Sequence, residues 1–320
     1  MSIWNFYSSF HSAQTVQRLL TKHYQKLNVH EPEQTSYQNC YTFIYFLKHG
    51  ENYYKMADTA PIMIKPVLAF YGISQLIKAL LLTVDAHYPS SSAVLSHGVS
   101  TRKRKKHNYN FLKDEVKVQK NGLYRHAALN LFQLNHTPGE KFSMDSLLKR
   151  IPELSDLYQF HLQIPTTIPI ETNDTFIIVH KEIANRYCIT SKRLAEILQN
   201  QLHWMLSKED VDSLYFSHSA EFHYLWKSSY LFNFYNKQYY LPAAKEDIKL
   251  MPEILIHYLV LYNLSMISRY ETEWLYDLMY NHHSDDYVFI HQFMEITLKK
   301  IPWLTLMYLN HIFNRVGGGD

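Results

Sequence analysis

The sequence predicts a mainly α-helical protein of the α+β type: a helical bundle from the N- and C-terminal thirds with a small β-containing middle segment. Three observations carry that expectation. Apolar residues recur at helical spacing in the first and last thirds. Between about residues 160 and 245 the texture changes to short β-prone runs bounded by polar residues or proline. Hydrophobic residues make up 47% of the chain and charged residues 19%, a globular rather than a disordered balance.

The elements follow in order. Ser12 is an N-cap for a helix reaching Leu27, with Val16, Leu19, Leu20 and Leu27 in helical register. A second helix, Tyr37 to His49, is expected to stop at Gly50 as its C′ residue. A third starts with Pro66 in its first turn and continues through PVLAFYGISQLIKALLL. A Tyr88-Pro89-Ser-Ser-Ser break precedes the basic run. Beyond Gly122, LYRHAALNLFQLN reads as helix up to Thr137-Pro138-Gly139, and Ser143 caps a short amphipathic helix, MDSLLKRI.

In the middle segment, Thr175–His180, Tyr187–Ile189, Leu214–Ser217 and Gln238–Leu241 read as strands. One helix interrupts them, capped by Ser191, with Leu194, Ile197, Leu198 and Leu202 on one face. Glu253–Tyr270 is apolar nearly all round, which predicts a buried helix. Glu271–Tyr280, Tyr287–Lys299 and Pro302–Phe313 follow as helices, with Gly317, Gly318 and Gly319 in a disordered tail. No linker or internal repeat stands out, so residues 1–320 read as one intertwined unit. Within it, 1–155 form the helical part with the basic segment 102–125, 160–245 a mixed α/β insert, and 250–316 the C-terminal helices.

Composition narrows the function classes. Only Cys40 and Cys188 occur, with no CxxC pair, which argues against a disulfide framework or a cysteine zinc site. The N-terminus lacks the charged and apolar regions of a signal peptide. The apolar stretches Pro66–Leu82 and Pro252–Ile267 carry internal polar residues and fall short of a span of about 20 residues. The expected protein is cytoplasmic and makes no membrane contact. The 26 tyrosines accompany many Asn, Ile and Lys, as AT-rich coding would give, so aromatic abundance is not by itself a binding surface.

Charge is the informative asymmetry. From Arg102 to Arg125 there are nine Lys or Arg against two acids, a local balance of +7, while the remaining 23 basic and 27 acidic residues give −4. Arg102, Lys103, Arg104, Lys105 and Lys106 stand in succession, and Lys113, Lys117 and Lys120 follow. A helical FLKDEVKVQK would place those last three lysines on one face. Such a strip attracts phosphates by releasing their counterions, and Tyr109 and Tyr124 would stack on bases beside it. The alternatives are a solvated charged loop or a strip paired with the acidic remainder of the chain.

The glycine positions permit neither GxxxxGKS/T nor GxGxxG, and neither HExxH nor GxSxG occurs. No cofactor or metal is implied. Arg102 and His107 fit the R-x4-H spacing of HEPN-type ribonucleases, which cut RNA at a dimer interface, although Lys103 departs from the usual polar residue of that motif. Asn281-His282-His283-Ser284-Asp285-Asp286 with His291 offers metal-ligand types without a diagnostic spacing, and reads as a polar connection with Ser284 or Asp285 capping the next helix. Arg269, at the end of a nearly apolar helix, either pairs with Glu271 or Glu273 or turns inward. With His97 it defines a possible anion pocket.

YGISQLIKALLL, the Tyr88-Pro89 break, SHGVSTRKRKKHNYNFLKDEVKVQKNGL and SMISRYETEW with SDDYVFIHQF together resemble the YaaC-like proteins of Bacillus and related Firmicutes. The resemblance spans most of the chain, and the TRKRKK…FLKDEVKVQKNGL block is its most specific part. It implies a bacterial cytoplasmic protein and brings no catalytic residue with it. The leading expectation is therefore a protein that binds a polyanion, RNA or a nucleotide, through its basic strip. A metal-independent HEPN-like nuclease using Arg102 and His107, and a module docking an acidic protein partner, are the alternatives.

Overall fold

The computed structural model describes residues 2–102, 109–173, 175–217 and 231–313. The chain divides into two compact units, residues 1–144 with 257–320, and residues 145–256. The described residues are mainly helical, with two small antiparallel sheets.

In the first unit α1 (Trp4–Tyr7) is a single turn. Ser12 caps α2 (Ala13–Lys26) as its sequence predicts, its hydroxyl accepting the Thr15 amide at 3.3 Å. α3 (Pro32–Thr59) runs straight through Gly50, where the sequence predicts an end. The reason lies in packing against α4 (Lys65–Val84). A Cβ on Gly50 would sit 2.7 Å from Leu76 Cδ2, and one on Gly72 would sit 2.6 Å from the Tyr54 ring. Both glycines serve a close helix crossing, not a cap. By length and composition α4 could span a membrane, yet most of it is buried in this unit, as a core helix would be.

Next come β1 (Val99–Ser100), β2 (Glu115–Val118), α5 (Leu123–Phe132) and β3 (Lys141–Ser143), the strands pairing antiparallel in the order β1-β2-β3. A helix over 111–120, the condition on which Lys113, Lys117 and Lys120 would share one face, does not form; β2 stands there instead. Val116 and Val118 are buried while Glu115 and Lys117 face out, an alternation of period two that a helix cannot satisfy. The sheet is joined to α5 where two backbones touch. Gly122, at φ +126, would place a Cβ 2.3 Å from Gly98 Cα, so only glycine fits.

The second unit starts within α6 (Met144–Leu148) and adds α7 (Ser155–Leu162). Its sheet comprises β4 (Thr167–Thr172), β5 (Phe176–His180), β6 (Met205–Glu209), β7 (Ser213–Ser217), β8 (Leu231–Phe232) and β9 (Tyr239–Pro242), in the order β6-β7-β5-β4-β9-β8. α8 (Glu182–Arg186) and α9 (Ser191–Leu202) lie between β5 and β6 in sequence. Leu194, Leu198 and Leu202 of α9 join Ile168, Ile177, Val179, Leu214 and Phe216 in the core. Thr190, rather than Ser191, caps α9 by accepting the Arg193 amide. Tyr187–Ile189, read as strand, is a turn after α8 with Cys188 at φ +53. β4 escapes sequence reading because Pro169 interrupts it, and β6 because all five of its residues are exposed at the sheet edge. Arg150 is buried and donates to the carbonyls of Asp247 and Lys249, tying the turn after α6 to the segment that follows β9.

Three helices end the described chain: α10 (Glu253–Tyr270), α11 (Thr272–Asn281) and α12 (Asp286–Ile312). α12 is continuous where two helices are expected, with Pro302 inside it. Ile301, Pro302, Trp303 and Leu304 are all buried, and Tyr7 Oη donates to the Pro302 carbonyl at 2.6 Å. Burial on every side offsets the missing backbone bond, a cost of about 3 kcal/mol. The tail with Gly317, Gly318 and Gly319 lies outside the described residues.

Candidate functional site

The outward face of the β1-β2-β3 sheet carries the site. Glu115 and Lys117 project from β2; on β3 Lys141 lies opposite Lys117 and Ser143 opposite Glu115. On the other edge Ser100 of β1 lies opposite Lys117. Like charges directly opposed across a ladder repel. The Lys141 ammonium is drawn off by Glu115, whose Oε2 it meets at 2.9 Å, and this leaves Lys117 facing outward.

Around these strands lies a half-open cavity of about 340 Å³, lined by Ser100, Thr101, Arg102, Lys113, Asp114, Glu115, Lys117 and Lys141. Among the described residues, four cations and two carboxylates share it. Among the described residues, no ion pair engages Arg102, Lys113 or Lys117. Three members of the predicted basic strip therefore converge here, joined by Lys141, which sequence reading did not select. The signal that would have found Lys141 is its register against Lys117, which requires the β2–β3 pairing.

The floor of the cavity is built from buried polar contacts. Asp114 is nearly fully buried; its Oδ2 accepts Tyr109 Oη and Asn263 Nδ2, each at 2.8 Å, and its Oδ1 accepts the Glu115 amide at 2.9 Å. Asn263 Nδ2 also reaches Thr101 Oγ1 at 3.3 Å, and the Thr101 hydroxyl donates to the Glu115 carbonyl at 2.9 Å. Asp286 of α12 accepts the Phe111 amide at 2.8 Å, which fixes the turn carrying Lys113. Burial raises the Asp286 carboxyl above its ordinary range, although backbone amides act against that rise. Burial, followed by the charge of Asp114, pushes the Tyr109 hydroxyl far up.

Tyr109 is thus part of the floor. Its hydroxyl belongs to Asp114 and its ring packs edge-on against Trp274 at 4.7 Å, an arrangement distinct from the base-stacking role its sequence position suggests. Tyr124 is a correction: it is fully buried with its ring stacked on Tyr258, so no base can reach it. Lys120 lies past the end of β2, in the bend before α5, and does not line the cavity. Lys103, Arg104, Lys105, Lys106 and His107 lie outside the described residues. Arg102 follows β1 in non-helical backbone.

His97 and Arg269 are within electrostatic reach of each other. His97 is half-buried with its ring edge-on to Phe70 at 4.9 Å, and burial, then the charges of Arg269 and Lys78, lower its pKa. Arg269 is exposed and turns back on its own helix, its Nε donating to the Ser265 carbonyl at 3.0 Å and its guanidinium lying over Tyr270. It does not turn inward, because the carbonyl one turn earlier lies within reach of the long side chain. In the 281–286 connection, Asn281 and His283 both engage Asp277, Asp286 is committed to Phe111, and Asp285 occupies the N-cap position of α12 without a side-chain cap bond. Among the described residues no His, Cys, Asp or Glu group has a metal-holding arrangement.

A family model described as YaaC-like Protein matches residues 8–309. Comparison with curated proteins and with solved structures finds no match.

Proposed function

The chain belongs to the YaaC-like family, and from that premise we propose that its cationic cavity binds a phosphate-bearing ligand, an RNA or a nucleotide. One observation carries the reading: Arg102, Lys113 and Lys117, separated along the sequence, meet with Lys141 on one cavity, and among the described residues none of the first three is held in an ion pair. Cations in excess of acids, gathered on a sheet and the turns beside it, suit phosphate oxygens. Arg102 would add a planar, two-pronged contact, and the lysines point charges. Binding of this kind needs no nucleophile or general base.

The test is fluorescence anisotropy with a labelled, 5′-phosphorylated single-stranded RNA at about 50 and 200 mM salt. Wild type is compared with a Lys113→Gln/Lys117→Gln double variant. With about 0.7 of salt slope per contact, three phosphate contacts predict about a 20-fold loss of affinity across that range. The expected result is that loss in wild type and greatly weakened binding in the variant. Equal, weak binding by both proteins would end the phosphate reading. Displacement of the probe by an acidic protein but not by free nucleotide would favour a protein partner instead.

A further inference from the structure

The cavity's two carboxylates do not suit a plain polyanion, and they narrow the ligand. Among the described lining residues, four cations, Arg102, Lys113, Lys117 and Lys141, against two carboxylates, Asp114 and Glu115, leave a net charge of +2. A phosphomonoester carries about −1.5 to −2 at neutral pH, which matches that balance, whereas a phosphodiester within a polymer carries a single charge per unit. A carboxylate in the lining also asks for something a phosphate lacks, namely hydrogen-bond donors on the ligand.

The acceptor is identifiable atom by atom. Asp114 is committed to the fold, with Tyr109 and Asn263 on Oδ2 and the Glu115 amide on Oδ1. Glu115 differs. Its Oε2 meets Lys141 at 2.9 Å, and among the described residues Oε1 receives no donor. The Glu115 side chain is held in the cavity by Lys141 while keeping an acceptor oxygen turned to solvent or ligand. Ser100 supplies the opposite polarity. Its Oγ accepts Gln119 Nε2 at 2.5 Å, so its own proton is left to donate, and it lies across the ladder from Lys117. The one lining thus presents cations, a hydroxyl donor and, among the cations, an anionic acceptor.

From this arrangement we infer that the cavity takes a free ribonucleoside 5′-monophosphate, with its phosphate on Arg102, Lys113, Lys117 and Ser100, and its ribose hydroxyls donating to Glu115 Oε1. This rests on the phosphate reading above and adds the sugar. A cis-diol offers two adjacent donors to one carboxylate, which is how a carboxylate distinguishes ribose from its deoxy analogue. The volume of about 340 Å³ accommodates one nucleotide unit and not several. A nucleotide inside an RNA chain has lost its 3′-hydroxyl to the next phosphate, so the free nucleotide is the better fit.

The experiment is titration calorimetry on the full chain with adenosine and uridine 5′-monophosphates, their 2′-deoxy analogues and inorganic pyrophosphate. Wild type is compared with Glu115→Gln and with Lys117→Gln. A hydrogen bond to a charged acceptor, partly exposed, predicts about a tenfold preference for the ribonucleotide over the deoxynucleotide. Glu115→Gln is expected to cut that preference below about threefold while pyrophosphate binding is kept or tightened, because a competing negative charge is gone. Lys117→Gln is expected to weaken all of the anions. If pyrophosphate and both kinds of nucleotide bind alike in wild type, the sugar assignment is overturned and the phosphate site stands. If the ribose preference survives in Glu115→Gln, the assignment to that carboxylate is overturned. If none of the anions binds, both readings fall together. Circular dichroism and thermal melting of each variant confirm that a loss of binding is not a loss of fold.

Discussion

Lys117 and Lys141 stand directly opposite one another across the β2–β3 ladder, on the exposed face of the sheet. An isolated sheet would be better off without that pair, since like charges opposed across a ladder cost a few tenths of a kcal/mol. Lys117→Gln is therefore expected to raise the melting temperature slightly at low salt, with the gain shrinking at high salt. On the proposed function, the same substitution is expected to weaken phosphate binding as well. A variant that became less stable at low salt would mean that the two ammonium groups are not the source of strain.

The basic strip contains its own control. Lys120 belongs to the same run in the sequence but lies outside the cavity. Lys120→Gln should leave the salt dependence of ligand binding close to wild type. Lys113→Gln should reduce the slope of log affinity against log salt by about 0.7 to 1. Equal effects at both positions, read by anisotropy at several salt concentrations, would point to a diffuse charged surface.

Arg150 holds the second unit from inside. It is 2% exposed, and its guanidinium donates to the Asp247 and Lys249 carbonyls. Burial lowers its pKa to about 10, partly opposed by Asp247 and Glu253, so it stays charged at neutral pH. Arg150→Met fills similar volume but leaves two carbonyls without their donor, an expected loss of about 3 kcal/mol in urea denaturation. A loss below about 1 kcal/mol would show that water replaces those contacts.

Gly122→Ala tests the joint between the small sheet and α5. The added methyl meets Gly98 Cα at 2.3 Å and sits at φ +126. Gly139, at φ +96, has only Lys117 Cε nearby, at 3.7 Å. Gly139→Ala should cost about 1 kcal/mol, from backbone strain alone. Gly122→Ala should cost well over 3 kcal/mol, or give no soluble folded protein, because backbone must move. Similar melting temperatures for the two variants would contradict the close approach.

Acid should loosen the first unit through its histidines. Burial is the main cause that lowers His23 and His97, with Lys26 adding to the first and Arg269 and Lys78 to the second. For a base whose folded pKa is depressed, the unfolded chain binds more protons. Stability is then fully present above the unfolded value near 6.5 and is lost as pH falls from there through the folded pKa. A His23→Asn/His97→Asn variant should show a flatter dependence of denaturation midpoint on pH between about 7 and 5. An unchanged slope would place the acid sensitivity elsewhere.

Sequence periodicity alone determined three of the helices. α2 with its Ser12 cap, α4 with Pro66 in the first turn, and α10 over Glu253–Tyr270 follow from local apolar spacing and capping chemistry, which act within a few residues. The concentration of charge between Arg102 and Arg125 was equally plain, because composition needs no partner. Where neighbours decide, the sequence was ambiguous. Gly50 reads as a stop until Leu76 is seen against it, and Pro302 reads as a break until the residues around it in the helix are seen to be buried. FLKDEVKVQK suits a helix by its lysine spacing and a strand by its valines; pairing with β1 and β3 settled the contest by burying Val116 and Val118. The cavity lies beyond local reach altogether. Lys141 joins Lys117 through strand register, and Asn263 and Asp286 reach Asp114 and Phe111 from about 150 residues or more away, contacts of 149 and 175 residues' separation that only the folded chain can make.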